Sequence, residues 1–231
     1  RANGYEGELV GTSIVRLAGG GFMGAVYPSP DPQQPQRSPD LILLGLDAAG
    51  DMVWSQAYRA ACRVDAGGRP HYVPEKLGLP TFFRTELAAT ADGGAALAMG
   101  ALLLRVDGAG RPLWARRYLP DEGDNQGFVL ASLAALPDGG FVLCGNLLAR
   151  LRVSGQREDD IVLVRVDTAG QILWAREYRA LLGTRHAAIK LAPDGRLILA
   201  ARATDGSSRH RVALAAIDPA NGDVAWAETV V

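Results

Sequence analysis

Three histidines, His71, His186 and His210, stand far apart in the chain, with no carboxylate or cysteine at ligand spacing beside any of them. Histidines so placed read as ordinary surface or core residues, not as a metal centre or a proton-transfer pair. Asp121-Glu122-Gly123-Asp124-Asn125 has enough oxygen to hold a calcium ion but lacks the spacing of a calcium loop, and Glu158-Asp159-Asp160 reads as a solvated turn. There is no Gly-x-Ser-x-Gly elbow, and Gly19-Gly20-Gly21 joins two apolar runs instead of opening a helix that could cradle phosphate. Cys62, in an irregular segment, and Cys144, in an apolar run, read as two separate thiols, with a disulfide between them as the alternative. The sequence therefore assigns no catalytic, metal-binding or cofactor-binding residue, and the expected cofactor is none.

What recurs is a pattern of another kind. Asp47-Ala48-Ala49-Gly50-Asp51-Met52-Val53-Trp54 returns as Asp107 to Trp114, as Asp167 to Trp174 and, one residue longer, as Asp218 to Trp226. The tryptophans are 60, 60 and 52 residues apart, so the chain is a tandem array of four units. An aspartate at the head of a turn accepts hydrogen bonds from backbone N–H groups two residues on, and a glycine then takes the left-handed conformation that a Cβ penalises. On this reading Asp47, Gly50, Trp54, Asp107, Gly110, Trp114, Asp167, Gly170, Trp174, Asp218, Gly222 and Trp226 form a structural repeat motif. Each tryptophan is expected to lie over the neighbouring unit, where burying 150–250 Å² is worth roughly 4 to 6 kcal/mol at most.

The elements that must position this motif are strands. In the third unit, 128–136 is an apolar run ending in Pro137-Asp138-Gly139-Gly140, a second run follows at 141–144, and a longer loop crosses to 161–167. That last run is nearly continuous in β-branched residues and leucine, as suits a strand buried on both faces. The turn through Gly170 then leads into 172–178, where apolar and polar residues begin to alternate as on a half-exposed strand. The other units repeat this order, and neither 102–107 nor 161–167 has the length or residue types of a helix. Four short antiparallel strands in a unit of this length make a β-propeller blade, so the fold class is all-β, with blades at about 11–58, 83–118, 127–178 and 185–231 of a single propeller domain or propeller segment spanning 1–231.

The series Asp160, Leu163, Arg165, Asp167, Gly170, Trp174, Tyr178, matched by Asp40, Leu43, Asp47, Gly50, Trp54 and Tyr58 in the first unit, resembles the roughly sixty-residue propeller repeat of secreted and surface-attached bacterial proteins. The fourth unit, from Leu214 to Trp226, is also similar to the tryptophan-docking repeat of pyrroloquinoline-quinone-type propellers. The resemblance implies an extracytoplasmic location (secreted, periplasmic or cell surface). It is specific to fold and weak for function. Gly100 and Arg211 stand where Asp40 and Asp160 would, and Val230 replaces the tyrosine. A quinone enzyme of that type would also show an adjacent cysteine pair and more blades.

Composition narrows the partners. A formal net charge of −1 and only two lysines, Lys76 and Lys190, give no electrostatic case for nucleic acid or an anionic membrane, and no apolar stretch approaches a membrane span. The arginines read as a solvated or ion-paired surface. The start Arg1-Ala2-Asn3 suggests a processed or excised segment. Two insertions stand out: 27–39, whose five prolines favour an extended path, and 59–83, where His71, Tyr72 and Glu75 are the candidate surface contact, with a plain cap over a propeller face as the alternative. The function expected first is a non-catalytic binding or scaffolding module whose partner is a protein or further propeller blades. An enzyme is left as an alternative, and would need Arg16, Arg84, Glu86, His186 and Lys190 on the innermost strands to converge at one mouth; an architectural segment of a larger assembly is the other.

Overall fold

The computed structural model describes residues 9–28, 41–58, 62–64, 70–72, 85–99, 102–118, 127–148, 159–178, 187–204 and 210–230. The proline-rich insertion at 29–39, the acidic loop at 121–125, and Glu75, Lys76, Arg84, Glu158 and His186 lie outside them. The described residues contain strands joined by tight turns and no helix.

Four sheets of four strands follow one another along the chain, each strand hydrogen-bonded to the next in sequence. The first holds β1 (Leu9–Arg16), β2 (Phe22–Pro28), β3 (Leu41–Leu46) and β4 (Met52–Tyr58). Between it and the second sheet stands a short antiparallel hairpin, β5 (Cys62–Val64) with β6 (Pro70–Tyr72). The second sheet holds β7 (Thr85–Ala89), β8 (Ala95–Met99), β9 (Leu102–Val106) and β10 (Pro112–Arg117). The third holds β11 (Gly127–Ala135), β12 (Phe141–Leu148), β13 (Asp159–Val166) and β14 (Ile172–Tyr178), and the fourth β15 (Ala187–Leu191), β16 (Leu197–Thr204), β17 (His210–Ile217) and β18 (Val224–Val230). Two compact units result, one of Arg1–Leu97 with Leu103–Arg116, the other of Ala98–Leu102 with Arg117–Val231.

Two details depart from the sequence reading. Cys62 is not in an irregular segment but opens β5, opposite Tyr72 of β6. Three-residue strands are too short to show an alternating pattern, so this hairpin leaves no periodic signal. Asp159 and Asp160 are not a turn but begin β13, paired with Leu148 and Leu147 of β12. Their acidity masks strand character that comes from backbone pairing with the partner strand.

The burial pattern follows residue type. Middle strands, which have neighbours on both sides, carry the continuous apolar runs: Leu41 to Leu43, Ala95 to Met99, Phe141 to Cys144 and Ile161 to Val166, apart from Arg165, are buried apolar side chains. Among the last strands, β4 and β10 are mixed, β14 is largely exposed, and β18 is exposed along its whole length. In the second unit, one layer of core runs from Val142, Cys144, Ile161 and Leu163 of the third sheet to Ile189, Leu197, Leu199 and Ile217 of the fourth. The third and fourth sheets thus bury apolar faces against each other, the arrangement that stacked four-stranded units need to hide their apolar sides.

A serine fixes the spacing between first strands. A β-bulge shifts the register between Gly11 and Ser13 in β1, and another does so between Leu130 and Ser132 in β11. A bulge re-aims the side chain beside it. Ser13 Oγ accepts from the Leu87 N–H at 3.1 Å, and Ser132 Oγ accepts from the Ile189 N–H at 3.1 Å. Both acceptors thereby satisfy outward N–H groups on the first, edge strand of the following sheet. Replacing fully buried Ser132 with alanine leaves the Ile189 N–H without its partner, and a loss of about 1–3 kcal/mol is expected in the urea unfolding free energy.

Candidate functional site

The repeated residues build a joint between successive sheets. In each tight turn before the last strand an aspartate carboxylate collects backbone donors: Asp47 Oδ1 accepts from the N–H groups of Ala49 and Asp51, Asp107 from Ala109 and Arg111, and Asp167 from Ala169 and Gln171, all at 2.8–2.9 Å. In the longer fourth turn Asp218 accepts from Ala220, while Asn221 takes the N–H of Asp223. The glycines that complete these turns, Gly50, Gly110, Gly170 and Gly222, have φ between +75° and +92°. Left-handed backbone favours glycine there.

Three of the four glycines are buried as well: each carbonyl accepts from a tyrosine of the preceding repeat, and Gly110 and Gly222 also lie under an indole. The Tyr58 hydroxyl donates to the Gly110 carbonyl, Tyr118 to that of Gly170 at 2.8 Å and Tyr178 to that of Gly222 at 2.6 Å. The indole of Trp54 lies over Gly110, where an added Cβ would meet Cζ3 and Cη2 at 2.5 and 2.6 Å. Trp174 lies over Gly222, its Nε1 donating to the Pro219 carbonyl at 3.1 Å, and Arg176 beside it pairs with Asp223 at 2.8 Å. Gly110 is thus held by two demands at once, a positive φ and a ring pressed against its Cα. Trp54, Trp114 and Trp174 are half-buried, and Trp226 is 39% exposed. The full-burial figure of 4 to 6 kcal/mol is therefore well above what these indoles contribute.

A second element, not anticipated from residue type, braces the other turn of two sheets. Arg105 and Arg165 are 6% and 4% exposed, contrary to the expectation that arginines here lie on the surface. Arg105 Nη2 grips the Asp92 carboxylate at 2.5 and 2.6 Å while its Nη1 donates to the carbonyls of Ala95 and Val106. Arg165 repeats this with Asp138 and the carbonyls of Phe141 and Val166. The five fixed donors of a guanidinium make such a multiple bond within a dry sheet. Asp92 lies below the usual carboxylate range, chiefly because the Thr90 hydroxyl donates to it at 2.7 Å, with further help from the Gly94 N–H and the Arg105 charge.

The brace explains why these turns read Asp-Gly-Gly. Gly93 and Gly139 take positive φ, whereas Gly94 and Gly140 have the arginine Nη1 and a backbone carbonyl where a Cβ would stand. Arginine, aspartate and second glycine occur together in the second and third repeats. In the first, the matching positions are Gly45, Gly19 and Gly21; in the fourth, Ala216 removes the guanidinium and the turn becomes Asp194-Gly195-Arg196, with Arg196 turned back onto Asp194. That co-occurrence is the sequence signal that could have revealed the buried arginines.

Of the candidate surface contact, His71 and Tyr72 lie on β6, and Glu75 is outside the described residues. Lys190 is exposed and Glu86 half-buried on first strands. No group of three His, Cys, Asp or Glu among the described residues could hold a metal ion.

No family model and no curated protein matches this chain. Solved structures do. The WD40 domain of Pan2 from Neurospora crassa superposes with a TM-score of 0.52 at 7% identity over 94% of this chain and 49% of that one. Four meandering sheets joined edge-turn to aromatic, together with that superposition, decide the fold. It is a β-propeller. A second propeller-type neighbour, the quinohemoprotein alcohol dehydrogenase from Comamonas testosteroni, matches with a TM-score of 0.50 at 10% identity, over 90% of this chain and 33% of that one. This chain thus spans half or less of the length of either neighbour. At such identities the likeness concerns fold alone, and each four-stranded sheet is one blade.

The blade joint titrates at alkaline pH. Burial pushes the Tyr178 phenol up to about 12, with nearby Asp223 adding to the rise against the opposing charge of Arg176. Burial likewise raises Tyr58. A phenol with a raised folded pKa holds its proton more tightly in the blade than in the unfolded chain, whose tyrosines titrate near 10. The associated stability is complete below pH of about 10 and is lost as pH climbs through about 12. Tyr178→Phe is expected to cost about 1 kcal/mol at neutral pH and to flatten the alkaline decline, as measured by urea midpoints across pH 8–12.

Proposed function

We propose that residues 1–231 form a single propeller domain or propeller segment that serves as a non-catalytic binding or scaffolding module of an exported or surface-attached bacterial protein. The observation that carries this reading is the fate of the recurring polar residues. The aspartates close turns, the tyrosines tie blade to blade, and the two buried arginines are spent on backbone carbonyls and turn carboxylates. A repeat whose polar groups are all engaged in holding the scaffold offers its variable loops for contact, and in repeat proteins such loops carry recognition. The segment around His71, Tyr72 and Glu75, which includes the β5–β6 hairpin, is the contact surface on this reading. The exported location rests on the resemblance of the repeat to those of secreted and surface-attached bacterial proteins. No helix among the described residues is long and apolar enough to cross a membrane.

Two measurements test the proposal. Cross-linking in the producing cell, followed by mass spectrometry, is expected to join the 59–83 segment to an envelope or extracellular protein. The triple change His71→Ala, Tyr72→Ala, Glu75→Ala should remove that cross-link while leaving the melting temperature within about 2 °C. Calorimetric titration of the purified chain with pyrroloquinoline quinone and calcium is expected to give no saturable heat. Micromolar quinone binding, or a cross-link that survives the triple change, would overturn the module reading.

A further inference from the structure

Three of the four joint turns carry alanine before their glycine, at Ala49, Ala109 and Ala169. The fourth is one residue longer and carries Asn221 there, so a side-chain amide stands next to the Gly222 nitrogen. An asparagine followed by glycine is the pair in which that nitrogen most readily attacks the side-chain carbonyl, because glycine has no Cβ in the way. The Asp-Gly pairs at Asp92, Asp138 and Asp194 present carboxylates bound by Arg105, Arg165 and Arg196, and a carboxylate resists this attack. Asn3-Gly4 is the other Asn-Gly pair of the sequence and lies outside the described residues.

Every group the reaction needs is held at the joint between the third and fourth blades. The Gly222 N–H donates to the Asp218 carbonyl at 2.8 Å. Asn221 Oδ1 accepts from the Asp223 N–H at 2.9 Å, and Asn221 Nδ2 donates to Asp223 Oδ2 at 2.8 Å. Trp174 and the stem of Arg176 lie against the Gly222 Cα, while Tyr178 holds its carbonyl. A hydrogen-bonded amide loses its proton only when the structure opens locally. Asn221 itself is exposed, so water reaches its amide as soon as the turn loosens.

We infer that Asn221 is a self-modification site that this joint keeps shut, and that its reaction stops the joint from closing again. On opening, the Gly222 nitrogen gives its proton to solvent and attacks Asn221 Cγ. The new C–N bond replaces the Cγ–Nδ2 bond, and ammonia leaves with that nitrogen and a proton from water. Water then adds to either carbonyl of the cyclic imide, leaving aspartate or isoaspartate at position 221; nothing is oxidised or reduced. The aspartate sets a carboxylate oxygen where Nδ2 now donates to Asp223, so two like charges share the site beside Arg176. The isoaspartate adds a backbone methylene inside a turn that the Asp218 N–H closes on the Asp223 carbonyl at 2.9 Å. This inference concerns a blade joint and stands apart from the binding-module reading.

Peptide mass spectrometry of the full chain, incubated in mildly alkaline buffer, follows the amide-to-acid mass gain at Asn221, with Asn3 as the reference in each sample. The native chain is expected to react at Asn221 about ten-fold or more slowly than the same chain unfolded in urea. Tyr178→Phe, which releases the Gly222 carbonyl, should quicken the reaction about five-fold, and Trp174→Ala should quicken it further. Tyr58→Phe removes the same kind of bond from the Gly110 joint and should leave the Asn221 rate at its native value. In Asn221→Asp, which copies one product, hydrogen exchange at the Gly222 N–H should be about ten-fold faster than in the native chain. A native rate equal to that in urea would overturn the inference, because the joint would then protect nothing. Equal rates in Tyr58→Phe and Tyr178→Phe would do so as well, since opening would not belong to this joint. Native exchange at Gly222 in Asn221→Asp would refute the one-way closure.

Discussion

An aromatic ring laid on a left-handed glycine is the contact on which the rest of this propeller depends. The glycine is required twice, for its φ and for the missing Cβ, and the ring arrives from the preceding blade only if its strand is correctly registered. The aspartate that heads the turn saturates the backbone N–H groups, so the glycine carbonyl is left pointing outward to receive the tyrosine hydroxyl. Local turn chemistry and long-range packing thereby become one device. It repeats because each blade buries its faces only against a neighbour, which makes the joint between blades, more than any single blade, the unit of stability.

Much of this was legible in the sequence because each part has a local cause. The spacing of Asp, Gly and Trp sets the turn, and apolar runs such as 161–166 mark strands with neighbours on both sides. What was not legible depends on partners distant in sequence. Arg105 and Arg165 look like surface residues by type, and only the fold shows that they lie between strands with a turn carboxylate and two carbonyls converging on each. Ser13 and Ser132 look like ordinary strand serines until the bulge beside each turns the hydroxyl toward the next blade. The hairpin of Cys62–Val64 with Pro70–Tyr72 was missed because three residues cannot display a period.

The repeats are not interchangeable, and their differences are physically coherent. Where the bracing arginine is present, the turn needs a second glycine; where Ala216 replaces it, Arg196 fills the freed position and pairs locally. Val230 stands where the other repeats have tyrosine, on the strand whose tryptophan is exposed. The recurring aspartates and tyrosines and the two buried arginines are engaged in these contacts.

The central claim is that the aromatic ring, not the turn conformation alone, makes the joint glycine indispensable. Gly50 and Gly110 separate the two demands, since both have positive φ, but only Gly110 lies under an indole. Urea unfolding of Gly50→Ala and Gly110→Ala measures the difference directly. Gly50→Ala should lose about 1–2 kcal/mol from the left-handed backbone alone, and Gly110→Ala a further ~1–3 kcal/mol from displacing Trp54. Equal losses at the two positions would contradict the account.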